Sequence, residues 1–330
     1  MKNRLLDLSF KYGAIVVIFI ILLFFAAVNQ YFFTYDNLSD ILRSISIVTF
    51  IAIGVTFSLI VDGFDLSVGS IVSLTTVVTA TLMVWFQQPL IIVILVPILI
   101  GAAIGLLNTF LIVKVRIPDL LATLTVMYII GGVHKTYTHG YSIYNHMQMT
   151  DGTKAPGEFA QSFLWIGQGK LLGVPVPVIM MLIAVLVAHL FLHYTRWGRQ
   201  MYITGGNREA ARLSGIRVNR VRLFAYVLSG VFAAIAGILF AARVGSGQID
   251  AGSPLLMESV AAVFVGYSVL GAGKPNVIGT FFGAMLIGIL LNGLTMLNLP
   301  YYAFDIIKGC VLLMALAITF VHLNRKKSHE

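Results

Sequence analysis

Two short stretches hold the residues whose types and spacing could do chemistry. In DGFDLSVGS (Asp62–Ser70) two carboxylates, Asp62 and Asp65, stand three positions apart beside a long apolar run. An ionised carboxylate is costly in hydrocarbon, so each must face water, protein or a partner. Asp65 can cap a helix that begins near Ser67 by accepting backbone N–H groups. The competing reading is a broken helix beside a polar path, where Asp and Ser side chains bond the hydroxyls of a solute. Asp62, Gly63, Asp65, Ser67 and Gly69 are the positions at stake, and both readings stay open.

The second stretch, RWGRQMYITGGNREAARLSGIRVNRVR (Arg196–Arg222), sets seven arginines against one acid, Glu209. Gly205 and Gly206 stop one helix, Asn207 can cap another, and Gly215 is a natural stop after Leu213 and Ser214. The short helix so defined carries Ala210, Ala211 and Leu213 bordered by charge. It can lie across a membrane surface and enter a cleft of a soluble partner. The plainer alternative is a basic anchor that only fixes threading.

Other patterns are missing. GAGKP is not a G-x-x-x-x-G-K-[ST] phosphate loop, and no H-E-x-x-H or G-x-S-x-G occurs. The chain is expected to carry no catalytic residues and no metal. Cys310 is the single cysteine. His134, His139 and His146 have no standard zinc spacing and read as solvated residues of a loop.

These stretches sit in a chain of 330 residues that is 58% hydrophobic and 11% charged. Soluble domains are about a quarter charged, so the class is an all-α integral membrane protein, read as one transmembrane domain over 1–330. Ten spans are expected, near 12–32, 41–61, 67–86, 90–113, 120–133, 176–194, 223–243, 255–270, 277–297 and 303–323. The net charge of +9 reads as topogenic. With both termini in the cytoplasm, most Lys and Arg fall on the inner side, including the loop at about 196–222. The polar segment at about 135–173 then lies outside. Five spans flank the basic loop on each side, so two related halves would be inverted; GAAIGLLN (Gly101–Asn108) and GAMLIGILLN (Gly283–Asn292) echo one another. Gly279, Gly283 and Gly288 suit close helix packing, and Asn292 is a further candidate for the polar path. Asp305 and Lys308 are spaced to pair on one helix, while Glu258, near the outer end of the eighth span, and Arg243, at the end of the seventh, are within reach of the interface.

The run RWGRQMYITGGNREAARLSGIRV strongly resembles the cytoplasmic loop of permease subunits of bacterial ABC importers of the ribose/xylose/galactoside group. DGFDLSVGS is similar to that family's G-G-I-D-L-S-V-G-S, with Asp62 and Phe64 as departures. Val263–Leu294 resembles its G-G-T/S-x-x-x-G-G-x-G and G-T-x-x-G-A patterns, with Tyr267, Ala272 and Lys274 as departures. The resemblance runs along nearly the whole chain. It implies uptake of a small polar solute, a monosaccharide first, across the bacterial cytoplasmic membrane. An ATP-binding subunit would dock on Gly205, Gly206, Asn207, Glu209, Ala210, Ala211, Leu213, Ser214 and Gly215. It also implies a solute-binding protein outside, a second permease copy, and ATP and Mg held by the partner ATPase rather than by this chain. A furanose autoinducer, a nucleoside or another polyol as cargo, and an ion-coupled secondary transporter, are the alternatives.

Overall fold

The computed structural model describes residues 16–149, 151–268, 274–297, 299–300, 303–311 and 313. Its helices are α1 (Val16–Val28), α2 (Tyr35–Ile60), α3 (Val68–Ala80), α4 (Leu90–Thr109), α5 (Asp119–Tyr137), α6 (Gln161–Gln168), α7 (Val176–Tyr194), α8 (Arg196–Gly206), α9 (Arg208–Leu213), α10 (Val218–Val244), α11 (Gly252–Ser268) and α12 (Val277–Met296). A further helical stretch covers 303–311. Among the described residues the strands are two-residue pieces only. β1 (Ile143–Tyr144) pairs with β4 (Ser246–Gly247), and β2 (Lys170–Leu171) pairs with β3 (Val174–Pro175).

Among the described residues, six helices are long and apolar enough to cross a bilayer: Tyr35–Ile60, Val68–Trp85, Leu90–Lys114, Val176–Tyr194, Val218–Val244 and Val277–Met296. Four of the ten expected spans do not reach that standard among the described residues. α1 and α11 are short. α5 runs further than the expected 120–133, but Thr123, Thr125, Gly131, Gly132, His134 and Lys135 dilute its apolar character. The tenth span is described only over its first part. The terminal segments bearing Lys2, Arg4, Arg325, Lys326 and Lys327, on which the placement of both termini leans, lie outside the described residues.

α10 is the centre of the bundle and packs against α2, α3 and α4. Small residues let the backbones approach. A Cβ on Gly101 of α4 would strike the Gly230 carbonyl of α10, and one on Gly230 would strike the Gly101 carbonyl. α12 packs on α11 in the same way, with Gly279 against Gly266 and Gly283 against Ala262, while Gly288 meets Ile45 of α2. The close packing expected at Gly279, Gly283 and Gly288 is therefore made within this chain.

Two of the helices begin inside the bundle. After α2 ends, Gly63 lies against Tyr226 of α10, and Asp65 bonds Ser229. Ser229 is about three turns into α10, roughly 16 Å from its start. At the opposite end α10 closes on Gly245 in the left-handed region (φ 70°). The chain then runs down α3, with Gly247 against Val77 and Ala80 and Gly252 against Gly69. So α3 and α11 enter from opposite ends of the bundle, and their first residues meet.

The expected loop at 135–173 is folded rather than loose. Ile143, Met147, Phe159 and Phe163 are buried, and Gly167 of α6 sits on the backbone of Ala242 and Arg243. This segment caps the end of the bundle away from α8 and α9.

Candidate docking face and solute path

α8 and α9 form an elbow at one end of the bundle. The Thr195 hydroxyl caps α8 by accepting from the Gly198 N–H at 3.1 Å. Asn207 separates the two helices, and its side chain accepts from the Glu209 and Ala210 N–H groups, both at 3.0 Å. Two of the otherwise orphaned donors of a six-residue helix are thereby satisfied. The Ser214 hydroxyl bonds the Ala210 carbonyl at 2.9 Å, and Gly215 turns the chain at φ 80°. Glu209, Ala210, Leu213 and Ser214 are exposed, whereas Ala211 is buried against the rest of the chain. Gly206 is open, but a Cβ on Gly205 would strike the Ile60 carbonyl at the end of α2.

Two side chains, Arg208 and Tyr202, fasten this elbow to the bundle. Arg208 pairs with the Asp62 carboxylate at 3.2 Å and donates to the Asp62 carbonyl. Tyr202 donates to the Pro275 carbonyl at 3.1 Å, just before α12. Burial pushes the Tyr202 phenol up to about 12, so it remains a donor throughout the neutral range. The elbow thus touches both the turn before α3 and the turn before α12.

Asp65 is fully buried. One carboxylate oxygen accepts from the Ser67 N–H at 3.0 Å and the Ser67 hydroxyl at 2.6 Å, with the Asn108 amide at 3.4 Å; the other accepts from Ser229 at 2.8 Å. Asn108 also donates to the Ser67 hydroxyl at 2.8 Å. One side chain therefore joins the turn before α3 to α4 and α10. Asp62, three residues earlier, is exposed at the elbow, so the two carboxylates occupy different environments.

Beside this network Asp119 accepts from Arg222 and from the Tyr226 hydroxyl. Arg222 is nearly buried and is not one of the surface charges that the basic stretch suggested. Asp119, Arg222, Tyr226, Asn108 and Ser229 were not singled out by sequence. The one available signal was Asp119, a lone acid after Lys114 and Arg116 at the first position of a helix.

The expectation for one histidine is corrected. His134 is not solvated: it is buried, and its Nε2 lies 2.8 Å from the Ile249 carbonyl. The expected pair of Lys308 with Asp305 is present at 3.8 Å, and α11 adds Glu258 to the same ammonium at 3.0 Å. Arg243, at the end of α10, bonds Ser44 at 2.9 Å. Asn292 donates to Asn37 at 2.9 Å and borders a cavity of about 310 Å³ with Ser44, Arg243, Glu258 and Lys308. It is thus separated from Asp65, Ser67 and Gly69.

A second cavity, of about 410 Å³, lies where α3 and α11 meet, facing α5; Gly69, Ser70 and Ser73 form one side of it, His134 and Lys135 another. The Gly252 N–H, first in α11, donates to the Ser73 hydroxyl at 2.9 Å. Lys135 pairs with Asp250 at 2.7 Å. Discontinuous helices whose ends meet within a bundle are a recurrent construction for solute sites in transporters.

Known proteins give the arrangement a context. The family model described as "Branched-chain amino acid transport system / permease component" matches residues 37–316. The chain is 36% identical over 305 residues to the Ribose import permease protein RbsC of Escherichia coli (strain K12), covering 92% of each. It is 36% identical over 318 residues to the Ribose import permease protein RbsC of Bacillus subtilis (strain 168), covering 96% of this chain and 94% of that one. It is 32% identical over 327 residues to the Galactose/methyl galactoside import permease protein MglC of Escherichia coli (strain K12), covering 96% and 95%. No solved structure matches. With a family model spanning most of its length and relatives matched over nine-tenths of theirs, the chain belongs to the family of branched-chain amino acid transport system permease components.

Proposed function

We propose that this chain is the membrane-spanning permease subunit of an ATP-driven ABC importer, carrying a monosaccharide across the bacterial cytoplasmic membrane. The observation that carries the reading is its extended similarity to import permeases for ribose and galactose. The elbow of α8 and α9 supports it physically. That elbow is built from local capping signals, exposes Leu213, and is bonded to the turns before α3 and α12. A push on α9 is therefore delivered to both turns.

In this reading an ATP-binding subunit docks over residues 205–215 and holds the ATP and Mg. A solute-binding protein docks on the opposite end, over the folded 135–173 cap. A second permease copy, ten spans per copy, both termini in the cytoplasm and inverted halves complete the scheme. The packing of α4 on α10 and of α12 on α2 is the relation that inverted halves would produce. ATP-driven closure of the ATPases shifts the balance between inward- and outward-open states.

The test is reconstitution in vesicles with the ATP-binding subunit and the binding protein. Labelled ribose is expected to accumulate only with ATP. The meeting of broken helices also suits an ion-coupled carrier. Accumulation driven by an ion gradient, with no ATPase present, would select that reading and reject the first.

A further inference from the structure

We infer that the cavity between α3, α5 and α11 is a station for a neutral polyhydroxylated solute, an inference that rests on the permease reading above. The cavity measures about 410 Å³, within the usual size range of small-molecule sites. It lies where the first turns of α3 and α11 meet, beside the last turns of α5.

Its chemistry selects the solute. Ser70, Ser73 and Ser253 line it. Ser73 uses its oxygen to accept from the Gly252 N–H, which leaves its hydroxyl hydrogen to be given. Ser70 gives its hydrogen to the Ser67 carbonyl, which leaves its oxygen to accept. His134 also borders the cavity, with its Nε2 at the Ile249 carbonyl. It is 2% exposed, and its Nδ1 has no hydrogen-bond partner. Because Nε2 faces a carbonyl, which can only accept, Nε2 carries the proton and Nδ1 is a bare acceptor.

Charge in the lining is balanced, since Lys135 and Asp250 are bonded to each other. A lone anion or cation would meet no uncompensated opposite charge. Donors and acceptors in similar number, without net charge, match a polyol. The ring of Tyr128, which also borders the cavity, offers an apolar face to the C–H side of a sugar ring. On the α5 side the cavity is left open by Gly131 and Gly132, where an added Cβ would meet nothing within 4 Å.

That open space makes a clean test. Gly131→Leu adds volume to the cavity without striking protein atoms, and removing a glycine from a helix interior favours the helix. In vesicles with both partner proteins, Gly131→Leu is expected to lower ATP-driven ribose uptake by about tenfold or more, with wild-type abundance and wild-type ATPase subunit binding. Gly309→Leu, at an exposed glycine with equal room, is the control and should transport normally. In a Cys310→Ser background, Gly131→Cys should react with a water-soluble thiol reagent, and ribose should slow that reaction several-fold. Normal uptake by Gly131→Leu, or labelling indifferent to ribose, would overturn the station while leaving the permease reading intact. A wild-type complex that moves no ribose with ATP would overturn the permease reading and the station together.

Discussion

Arg208, the first residue of α9, holds Asp62 twice: by an ion pair to its carboxylate at 3.2 Å and by a hydrogen bond to its carbonyl. Asp62 has φ 56°, a left-handed conformation that glycine adopts without strain and that Asp tolerates better than most residues. Here the side chain gives the elbow a charged grip on the turn before α3.

Reversing either charge should therefore loosen the transmission more than the fold. Exposed ion pairs contribute only about 0.2–1 kcal/mol to stability, so Arg208→Glu and Asp62→Arg should insert at normal levels. Sugar moved per ATP hydrolysed is expected to fall several-fold in each. The double exchange should recover a large part of it. Equal ratios in all four proteins would show that the pair transmits nothing.

Arg222 and Asp119 call for the opposite outcome. Both are largely buried, and the Tyr226 hydroxyl shares the same carboxylate at 2.5 Å. Removing one partner strands the other, which costs about 3–5 kcal/mol for a buried pair. Arg222→Ala should lower abundance and the thermal midpoint of the purified permease sharply. Arg222→Lys keeps the charge and should fall between. A midpoint unchanged in Arg222→Ala would show that water reaches the pair.

How much of this was legible in sequence follows from the range of the interactions. The limits of α9 could be read, because Gly205, Gly206, Asn207 and Gly215 act on their immediate neighbours. The membrane class could be read from the long apolar runs. The bond of Arg222 to Asp119 could not, since the partners are 103 positions apart and the arginine sits among six others. Neither could the burial of His134, which depends on where the chain after α10 turns back. The starts of α3 and α11 inside the bundle escaped for a related reason. Hydropathy reports whether a run is apolar, and a helix that begins halfway down scores like one that begins at the surface.

Asp65 discriminates between the two readings of its motif. It is fully buried, and Ser67, Asn108 and Ser229 all direct hydrogens at it. Asp65→Ala leaves those donors without their acceptor, at about 1–3 kcal/mol for each one unsatisfied. Lower membrane abundance is expected, with uptake per surviving molecule close to wild type. Asp65→Asn keeps one acceptor oxygen and should restore most of the abundance. Full abundance of Asp65→Ala with uptake abolished would place Asp65 on the solute path instead.

The last test concerns what α9 shows to the outside. Leu213 is 83% exposed although apolar, while Ala211, two residues earlier, has no exposed surface. The two should respond differently. Leu213→Asp removes an apolar knob from a surface with nothing packed on it, so insertion, abundance and the elbow itself should persist. Capture of the ATP-binding subunit by the tagged permease is expected to drop by about tenfold, in line with about 1.4 kcal/mol of lost binding. Glu209→Lys, at an exposed position beside Arg212, should act in the same direction. Ala211→Leu forces volume into a filled space and should disturb the elbow before any partner arrives, lowering stability as well as capture. Undiminished capture by Leu213→Asp and Glu209→Lys would reduce the arginine-rich segment to an anchor on the membrane surface.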